Sequence, residues 1–256
     1  MIGAIIGDII GSRFEKNNVK HKHFELFTKQ SRFTDDTVLT IAIADSLLSA
    51  GDYESNVKKY GRRYPFAGYG KTFKKWLVGI IQEPYNSWGN GSAMRVSPIG
   101  FAYNDERLVL GEAKKSAEIT HNHEEGIKGA QAIAMSIFLA RKNKSKQEIK
   151  EYIEINFGYN LNRKIDEIRP NYKFDVSCQG SVPESIIAFM ESENFEDAIR
   201  IAVSIGGDSD TIACMTGAIS QAYYKQIPEE MIEKTNKILP QKFKLIIEKF
   251  NQRYSL

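Results

Sequence analysis

Cysteine is scarce in this sequence. Its 256 residues include two cysteines, Cys178 and Cys214, and these form no Cys-x-x-Cys pair. Two separated cysteines exclude a disulfide framework of the kind that stabilises small secreted proteins. The count therefore favours a reducing compartment, and we expect both side chains to be buried thiols.

Long apolar runs are also missing. No window approaches the ~20 apolar residues that a membrane-spanning helix needs. The amino-terminal stretch MIGAIIGDIIGSRFE is apolar, but Asp8 interrupts it and no basic segment precedes it, so it lacks the pattern of a signal peptide. We therefore predict a soluble, cytoplasmic protein with no membrane partner.

A strong excess of one charge is absent as well. The 35 Lys and Arg residues nearly balance the 32 Asp and Glu residues, which leaves a net charge of +3. The most charge-rich segment, residues 141–150, also contains Asn, Ser and Gln and is typical of a solvated loop followed by a helix start. Nothing in this pattern indicates a nucleic-acid partner.

What the sequence does contain is helical periodicity. Apolar residues recur at helical spacing, Pro and Gly fall between these segments or in their first turns, and strand-like alternation is hard to find. We predict one compact all-α domain over residues 1–256. The predicted helices span residues 2–13, 36–50, 106–120, 124–140, 145–156, 182–191, 195–204, 211–225, 229–237 and 241–251.

The stretch GGDSDT places two aspartates at the start of an apolar helix. Asp208 and Asp210 directly precede a helix that is apolar nearly all round. A helix cap explains one such carboxylate, because Asp at a helix start accepts a backbone N–H and favours the positive end of the macrodipole. A buried pair is costly unless a cation or donors neutralise it, so a metal site is the alternative.

The stretch RFTDDTVLT repeats this arrangement before another apolar helix. It contributes Thr34, Asp35 and Asp36, while GGDSDT ends on Thr211. If the two helix starts face each other, they supply only carboxylate and hydroxyl oxygens, which hard divalent cations prefer and zinc does not. The summed charge predicts two Mg²⁺ ions, or Mn²⁺ in their place, that bind and polarise substrate oxygens.

The first helix carries a polar face. Asp8 and Glu15 lie seven residues apart with Ser12 between them, so all three share one side. For Asp8 we expect a solvated position. Glu15 ends the run just before KNN, where a mobile loop would carry it over a site. Beside this face, three glycines predict a ridge for close helix packing: Gly3, Gly7 and Gly11.

The stretch SWGNGSAMRVSPIG offers a ligand-binding loop. Gly89 and Gly91 flank Asn90 and allow positive φ, which brings backbone N–H groups close to a ligand. A helix that starts at Ser92 would turn its amino terminus towards diphosphate or ribose oxygens. An ordinary Asn-Gly turn followed by a capped helix explains the same pattern. The stretch is neither a GxGxxG nor a Walker A motif.

Two histidines, His121 and His123, occur in the stretch ITHNHEEG. A zinc site is not indicated, because no third soft ligand lies at a fitting spacing. We expect structural or helix-capping roles for them, with one of the two available to hydrogen-bond a substrate.

Six segments together resemble a known family. They are GAIIGDIIGSRFE, FTDDT, GNGSAMR, THNHEEGIKGA, QGSVPESIIAF and SIGGDSDTIACMTGAISQAYY. These segments and their order are similar to those of the ADP-ribosylglycohydrolases, the family that includes dinitrogen reductase-activating glycohydrolase and the ADP-ribosylarginine hydrolases. The resemblance runs from Gly3 to about Pro228. It implies a compact all-α orthogonal bundle with two Mg²⁺ or Mn²⁺ ions in a central cleft.

The resemblance also implies roles for particular residues. Glu15 matches the family's acidic residue on a movable loop and is the candidate for catalytic chemistry at the substrate. The implied reaction is hydrolysis of the bond between C1″ of ADP-ribose and an acceptor, through an oxocarbenium-like transition state. The implied metal ligands are Thr34, Asp35, Asp36, Asp208, Asp210 and Thr211. The implied substrate-binding residues are Gly89, Asn90, Gly91, Ser92, Met94 and His121.

The acceptor of ADP-ribose is open. Arginine-directed members of the family often have Asp three residues before the first glycine of GNG, and this sequence has Asn86 there. The partner is therefore an ADP-ribosylated protein or a small ADP-ribosyl compound, and we expect a monomeric enzyme. A non-catalytic relative that binds ADP-ribose or serves a structural role is the alternative, although such a relative should have lost ligands that this sequence keeps. A two-metal phosphoesterase, suggested by the aspartates alone, would be expected to mix His with Asp ligands.

Overall fold

Apolar residues at helical spacing produce helices throughout the chain. The computed structural model describes residues 1–255, and this part of the chain contains helices and connecting loops but no strand. The prediction of an all-α fold is therefore confirmed. In chain order the helices are α1 (Ile2–Gly11), α2 (Asp35–Ser49), α3 (Tyr53–Arg63), α4 (Lys71–Leu77), α5 (Gly91–Met94), α6 (Ser97–Ala102), α7 (Glu106–Glu118), α8 (Glu124–Arg141), α9 (Lys146–Phe157), α10 (Ile165–Ile168), α11 (Cys178–Glu191), α12 (Phe195–Ile205), α13 (Ser209–Tyr224), α14 (Glu229–Ile238) and α15 (Gln241–Tyr254).

Helix α1 is buried along its whole length and packs against α13. The predicted glycine ridge makes this contact possible, because the two backbones touch where a side chain would otherwise stand. A Cβ atom would lie 2.4 Å from the Gly217 carbonyl oxygen if added to Gly3, 2.0 Å from the Ala213 carbonyl oxygen if added to Gly7, and 2.4 Å from the Asp210 Cα if added to Gly11. The end of α1 therefore lies against the first turn of α13.

The helices α2 and α13 begin in different ways. Thr34 is the N-cap of α2, and its Oγ1 accepts a hydrogen bond of 3.3 Å from the backbone N of Asp36. Asp208 occupies the N-cap position of α13, but its side chain accepts no capping hydrogen bond. A threonine cap thus sets the start of α2, whereas the carboxylate of Asp208 is directed to another partner.

Four helices were not predicted from the sequence: α3, α4, α6 and α10. Helix α3 is mostly polar, with Val57 and Tyr60 as its buried apolar side chains, so its apolar periodicity is weak. The Asp52 side chain sets its start by accepting a 2.7 Å hydrogen bond from the backbone N of Ser55. Capping and tertiary contacts form this helix where the apolar pattern does not indicate one.

Helix α11 begins at Cys178, ahead of the predicted start at residue 182. Pro183 consequently lies inside a helix, so the expectation that every proline falls in a loop or a first turn is wrong. The Ser177 side chain caps the helix by accepting a 2.9 Å hydrogen bond from the backbone N of Gly180. This cap and the burial of the helix outweigh the one backbone hydrogen bond that Pro183 cannot donate.

The scarcity of cysteine and of long apolar runs can be compared with the structure. Cys178 and Cys214 are free and buried, as predicted. Across residues 1–255, no helix combines the length and the apolar character needed to cross a membrane.

Candidate active site

One cleft is formed by the loop after α1, the starts of α2 and α13, and the loop before α5. Its volume is about 420 Å³. The structure therefore brings together residues from opposite ends of the chain. Every predicted site residue except Ser92 lines this cleft: Glu15, Thr34, Asp35, Asp36, Gly89, Asn90, Gly91, Met94, His121, Asp208, Asp210 and Thr211.

Three aspartates form a buried acidic cluster at the cleft wall. One carboxylate oxygen from each of Asp8, Asp36 and Asp210 lies within 4.8 Å of the others. The expectation of a solvated position for Asp8 is wrong, because this residue is 0% exposed. Helix α1 is buried on all sides, so it has no solvated face on which a carboxylate could lie.

Asp8 accepts hydrogen bonds from four donors in the first turn of α2. Its Oδ2 accepts from the backbone N atoms of Thr34 (2.9 Å) and Thr37 (3.1 Å) and from Thr37 Oγ1, and its Oδ1 accepts from Thr34 Oγ1 (2.6 Å). These donors and the helix dipole stabilise a negative charge there. Neither Asp8 nor Thr37 was a predicted site residue. The available signal was a charge inside the apolar run IGAIIGDIIG, because a buried charge requires partners.

Asp36 and Asp210 have fewer donors. Oδ2 of Asp36 accepts from Thr211 Oγ1 at 3.3 Å and lies 3.3 Å from Thr34 Oγ1, whose one hydrogen is donated to Asp8. Oδ1 of Asp36 has no hydrogen-bond partner within residues 1–255. Asp210 Oδ1 accepts a 3.1 Å bond from the backbone N of Thr211. A buried carboxylate oxygen without a donor is costly, and such an atom is free to coordinate a cation.

Asp208 and Asp35 also line the cleft. Oδ2 of Asp208 accepts a 2.7 Å hydrogen bond from Asn90 Nδ2, so this carboxylate binds the loop before α5 instead of capping α13. The backbone N of Asp35 donates to the Ala67 carbonyl oxygen at 2.8 Å. A Cβ atom on Gly68 would lie 2.8 Å from Asp35 Oδ1. The turn at residues 67–68 therefore covers Asp35 closely.

Burial raises the pKa of each of these carboxyl groups. The pKa of Asp35 is raised to about 8, and those of Asp8, Asp36, Asp208 and Asp210 are also raised above the ordinary value. Repulsion between neighbouring carboxylates adds to the rise in pKa at Asp36 and Asp210. Without a cation, the charged form of the cluster is therefore disfavoured, and a bound metal ion would offset that cost.

The ligand atoms of the acidic cluster suit a hard divalent cation. In the described chain, no Lys, Arg or His side chain forms an ion pair with Asp8, Asp36 or Asp210. The cluster offers carboxylate and hydroxyl oxygens, which Mg²⁺ and Mn²⁺ prefer as ligands. The unpartnered Oδ1 of Asp36 is a buried atom that such an ion would satisfy. The buried acidic cluster can therefore hold a metal ion.

The loop before α5 is held by the segment that precedes α11 and by the first residue of that helix. The backbone N of Asn90 donates to the Val176 carbonyl oxygen at 2.7 Å. The Sγ of Cys178 donates to the Gly89 carbonyl oxygen at 3.1 Å. The side chain of Asn90 is thereby placed against Asp208, and the loop and the acidic residues form one connected structure.

Gly89 and Gly91 do not adopt the positive φ that the sequence suggested. In this loop positive φ occurs at Asn86 instead, at 53°. The lack of a side chain still matters at Gly91, because a Cβ atom there would lie 3.0 Å from His121 Nε2. Glycine at this position favours close packing against the histidine and is not needed for an unusual backbone conformation.

The helix predicted to start at Ser92 is short. Helix α5 ends at Met94, so it carries little of the macrodipole that an anion site would need. The chain turns at Arg95, whose buried Nη2 donates to the Ser116 carbonyl oxygen at 2.8 Å. Ser92 Oγ donates to the Gly126 carbonyl oxygen at 2.7 Å, and this bond anchors α5 to α8 behind the cleft. Met94 itself lines the cleft.

The two histidines have different positions. His121 is buried in the cleft wall, with Nδ1 at 2.7 Å from Thr120 Oγ1, and Arg95 Nη2 donates to the same oxygen at 2.9 Å. Burial, and next the positive charge of Arg95, holds the pKa of His121 well below its usual value, so the ring is neutral at pH 7. His123 is the N-cap of α8 and accepts a 3.1 Å bond from the backbone N of Glu125, as the capping prediction requires.

Several lining residues were not predicted from the sequence, among them Tyr85, Arg95 and Phe174. Arg95 is fully buried, and its Nε and Nη1 have no hydrogen-bond partner within residues 1–255. Burial lowers its pKa to about 10. An arginine between the apolar residues of SAMRVSP is a signal that could have been used. Nothing local in the sequence marks Tyr85 or Phe174.

Glu15 follows α1 and lines the cleft with a partly exposed side chain. Its negative charge contributes to the raised pKa values of Asp35, Asp208 and Asp210. The carboxylate of Glu15 therefore interacts electrostatically with the acidic residues of the cleft.

Fold and cleft together define an all-α protein whose buried carboxylates fit a divalent cation beside a glycine-containing loop. The family model for ADP-ribosylglycohydrolase matches residues 1–255. The chain therefore belongs to the ADP-ribosylglycohydrolase family, as its motifs suggested.

Individual relatives are similar over most of their length. ADP-ribosylhydrolase ARH3 of Mus musculus is 26% identical in an alignment 313 residues long, and this alignment covers 90% of this chain and 84% of that protein. ADP-ribosylarginine hydrolase Tri1 of Pseudomonas putida is 25% identical in an alignment 273 residues long, and this alignment covers 91% of this chain and 72% of that protein. A solved structure described as an ADP-ribosylglycohydrolase-related protein complex has the same fold, with a TM-score of 0.73 and 21% identity over 99% of this chain and 95% of that chain.

Proposed function

We propose that this protein is a metal-dependent hydrolase that cleaves the C1″ glycosidic bond between ADP-ribose and an acceptor, and so reverses ADP-ribosylation. The observation that carries the proposal is the buried cluster of Asp8, Asp36 and Asp210, placed beside a cleft lined by the motif residues of the family. The relative in mouse is named as an ADP-ribosylhydrolase and that in Pseudomonas putida as an ADP-ribosylarginine hydrolase.

Two Mg²⁺ ions, or Mn²⁺ in their place, are the cofactors in this proposal. Divalent cations supply Lewis acidity towards ribose hydroxyls and lower the pKa of bound water. The structure supports adding Asp8 to the ligands inferred from the motifs, because Asp8 shares the cluster with Asp36 and Asp210. The proposed ligand set is Asp8, Thr34, Asp35, Asp36, Asp208, Asp210 and Thr211.

ADP-ribose would bind against the loop before α5. Gly89, Asn90 and Gly91 line the cleft, and the two glycines allow a ligand to approach the backbone closely. Met94 and His121 complete this wall. His121 is neutral at pH 7, so it offers a hydrogen bond without a charge. Ser92 supports the loop from behind through its bond to α8.

Glu15 is the catalytic residue in this proposal. Its side chain is partly exposed in the cleft, where it can reach both substrate and solvent. A carboxylate in that position can take a proton from the attacking water or give one to the leaving group during glycosidic cleavage. The aspartates of the cleft are less suited to this task, because the proposal assigns them to the metal ions.

Asn86 does not decide the acceptor. It has φ 53°, a conformation that Asn and Asp tolerate better than most residues. Asn in place of the Asp of arginine-directed members therefore allows the same backbone conformation and removes the charge of the side chain. We propose an ADP-ribosylated protein side chain or a small ADP-ribosyl compound as the substrate.

The decisive experiment measures free ADP-ribose. Proteins ADP-ribosylated on arginine and on serine would be incubated separately with the enzyme in Mg²⁺, in Mn²⁺ and in EDTA. We expect release from at least one substrate in either metal and none in EDTA. Binding of ADP-ribose without release from any substrate would instead identify a non-catalytic relative.

Cytoplasmic location and a monomeric state are parts of the same proposal. Both cysteines are free and buried, which suits a reducing compartment. Fractionation of the native cell and the mass measured in solution by light scattering test these two points.

A further inference from the structure

The segment after Glu15 lies against the turn that joins α12 to α13. This turn consists of Gly206 and Gly207 and leads directly into Asp208. Residues 16–20, with the sequence KNNVK, are mostly exposed, yet two of their side chains reach the turn. These contacts link the part of the chain that carries Glu15 to the part that carries Asp208.

Asn18 makes the closest link. Its Oδ1 accepts a 2.7 Å hydrogen bond from the backbone N of Gly207, and its Nδ2 donates to the Gly207 carbonyl oxygen at 3.1 Å. The same Nδ2 donates to the carbonyl oxygens of Phe14 (2.6 Å) and Glu15 (3.1 Å). One amide group therefore joins the backbone of Glu15 to the backbone of the turn.

Lys20 adds a second link to the same turn. Its Nζ donates to the carbonyl oxygens of Ile205 (2.6 Å) and Tyr172 (2.8 Å). Ile205 is the last residue of α12, so the ammonium group lies at the negative end of that helix, where a cation is stabilising. The segment after Glu15 is thus attached to the turn at two points.

The two glycines of GGDSDT make these attachments possible. Gly206 has φ 77° and ψ −154°, and Gly207 has φ 68°. Residues with side chains rarely adopt the conformation of Gly206. A Cβ atom on Gly206 would lie 2.9 Å from Lys20 Nζ and 3.1 Å from Asn18 Oδ1. The glycine pair therefore turns the chain into α13 and leaves room for both side chains.

We propose that Asn18 is a positioning residue that keeps Glu15 at the cleft by tying its backbone to Gly207. The inference rests on the proposed function, in which Glu15 acts on the substrate. Asn18 does not line the cleft, so it acts through Glu15 and not on the substrate. Its loss should change the rate of the reaction and leave substrate binding nearly unchanged.

The test is the Asn18→Ala variant of the full chain in Mg²⁺. We expect kcat for ADP-ribose release to fall about 10–100-fold, the scale that a small misplacement of a reacting group produces, while KM stays near the wild-type value. Amide hydrogen exchange of residues 14–20 should become faster. The matched control is Asn17→Ala, the same substitution at an exposed neighbouring position. This variant should keep the kcat and the hydrogen exchange of the wild type.

Two outcomes would overturn the proposal. One is a wild-type kcat or unchanged hydrogen exchange in Asn18→Ala. The other is a parallel loss of kcat, Tm and Mg²⁺ affinity, which would indicate a purely structural role. If Asn18→Ala does not fold, Asn18→Asp is measured instead, because it keeps the Oδ1 acceptor, loses the Nδ2 donors and should lose kcat as well. If the wild type releases no ADP-ribose, the proposed function fails, and the hydrogen-exchange comparison of the two alanine variants still decides whether Asn18 holds the segment.

Discussion

Asp8 and Thr34 lie 26 residues apart in sequence and share two hydrogen bonds, from the Thr34 backbone N at 2.9 Å and from Thr34 Oγ1 at 2.6 Å. These bonds attach α1 to the first turn of α2, and together with the two bonds from Thr37 they give one member of the acidic cluster four donors. Asp36 and Asp210 lack such a set. The aspartates of one cluster should therefore respond differently to the same substitution.

Asp8→Asn and Asp210→Asn should have opposite effects on the metal-free protein. Asp210→Asn removes one of several repelling carboxylates, so the free energy of unfolding should stay the same or rise. Asp8→Asn places an amide NH₂ against donors from Thr34 and Thr37, and should lower that free energy by about 1–3 kcal/mol. Urea unfolding in EDTA measures both. A loss of stability in Asp210→Asn as large as that in Asp8→Asn would contradict this account of the cluster.

Metal binding should raise the melting temperature of the wild type. An ion that binds only the folded state contributes about 2.7 kcal/mol at a concentration 100 times Kd. The Mg²⁺-induced shift in Tm should shrink in the Asn variants of Asp35, Asp36, Asp208 and Asp210. Asp166→Asn is the control, because that side chain is 90% exposed. Equal shifts in all these proteins would refute the assignment of the metal ligands.

Glu15→Gln should leave the fold and the Mg²⁺-induced Tm shift intact and lower turnover by about 10²–10⁴-fold, the range attributed to general acid–base catalysis. Glutamine keeps the size of the side chain and removes its ability to exchange a proton. Glu25→Gln, at an exposed position of the loop between α1 and α2, is the matched control. Wild-type turnover in Glu15→Gln would remove this residue from the mechanism.

The fold class was predictable because long apolar helices dominate the core. The pattern failed where helices depend on caps or on neighbouring elements. Helix α3 is an example, since its start is set by Asp52 and few of its side chains are apolar. The start of α11 is a second example. Pro183 indicates a helix start near residue 182, but the cap at Ser177 starts the helix earlier and leaves the proline inside it.

The cleft was predictable as far as its residues occur in local motifs. Asp36 and Asp210 are marked by paired acids before apolar helices. Asp8 was mistaken for a solvated residue, since the helical spacing that places it beside Glu15 does not reveal that α13 covers the face. Tyr85 reaches the cleft only through tertiary packing, and no local pattern announces such a position.

Two glycine-to-alanine substitutions should change stability in opposite directions. A Cβ atom on Gly7 would lie 2.0 Å from the Ala213 carbonyl oxygen, so Gly7→Ala should force α1 away from α13 and lower the free energy of unfolding by at least ~1–3 kcal/mol. Gly111 lies within α7 with nothing near its Cβ position. Gly111→Ala should therefore raise that free energy by about 0.5–1 kcal/mol. Urea unfolding of both variants measures the difference, and an equal loss in the two would contradict the close contact between α1 and α13.

His121 should make the folded protein less stable in mild acid. Burial and the charge of Arg95 depress the pKa of His121 in the folded state, whereas in the unfolded chain it is about 6.5. The stabilising contribution of the neutral ring is thus fully present above about pH 6.5. Below that pH the unfolded state binds a proton that the folded state does not, and stability falls until the folded pKa is reached. The limiting slope for one group is about 1.4 kcal/mol per pH unit.

The contribution of His121 can be separated from that of the carboxylates by its sign. The aspartates of the cleft have raised pKa values, so their contribution weakens the folded state as pH rises, while that of His121 weakens it as pH falls. The measurement is the free energy of unfolding from pH 7 to pH 5 in EDTA for the wild type and His121→Gln. Below about pH 6.5 the wild type loses stability because of His121, whereas the variant does not. The difference in the free energy of unfolding between the two proteins should therefore shrink towards pH 5. His23→Gln, at an exposed position, should run parallel to the wild type. A constant difference between the wild type and His121→Gln over this range would show that His121 is protonated in the folded protein as readily as in the unfolded chain, and would contradict the neutral, buried ring in the cleft wall.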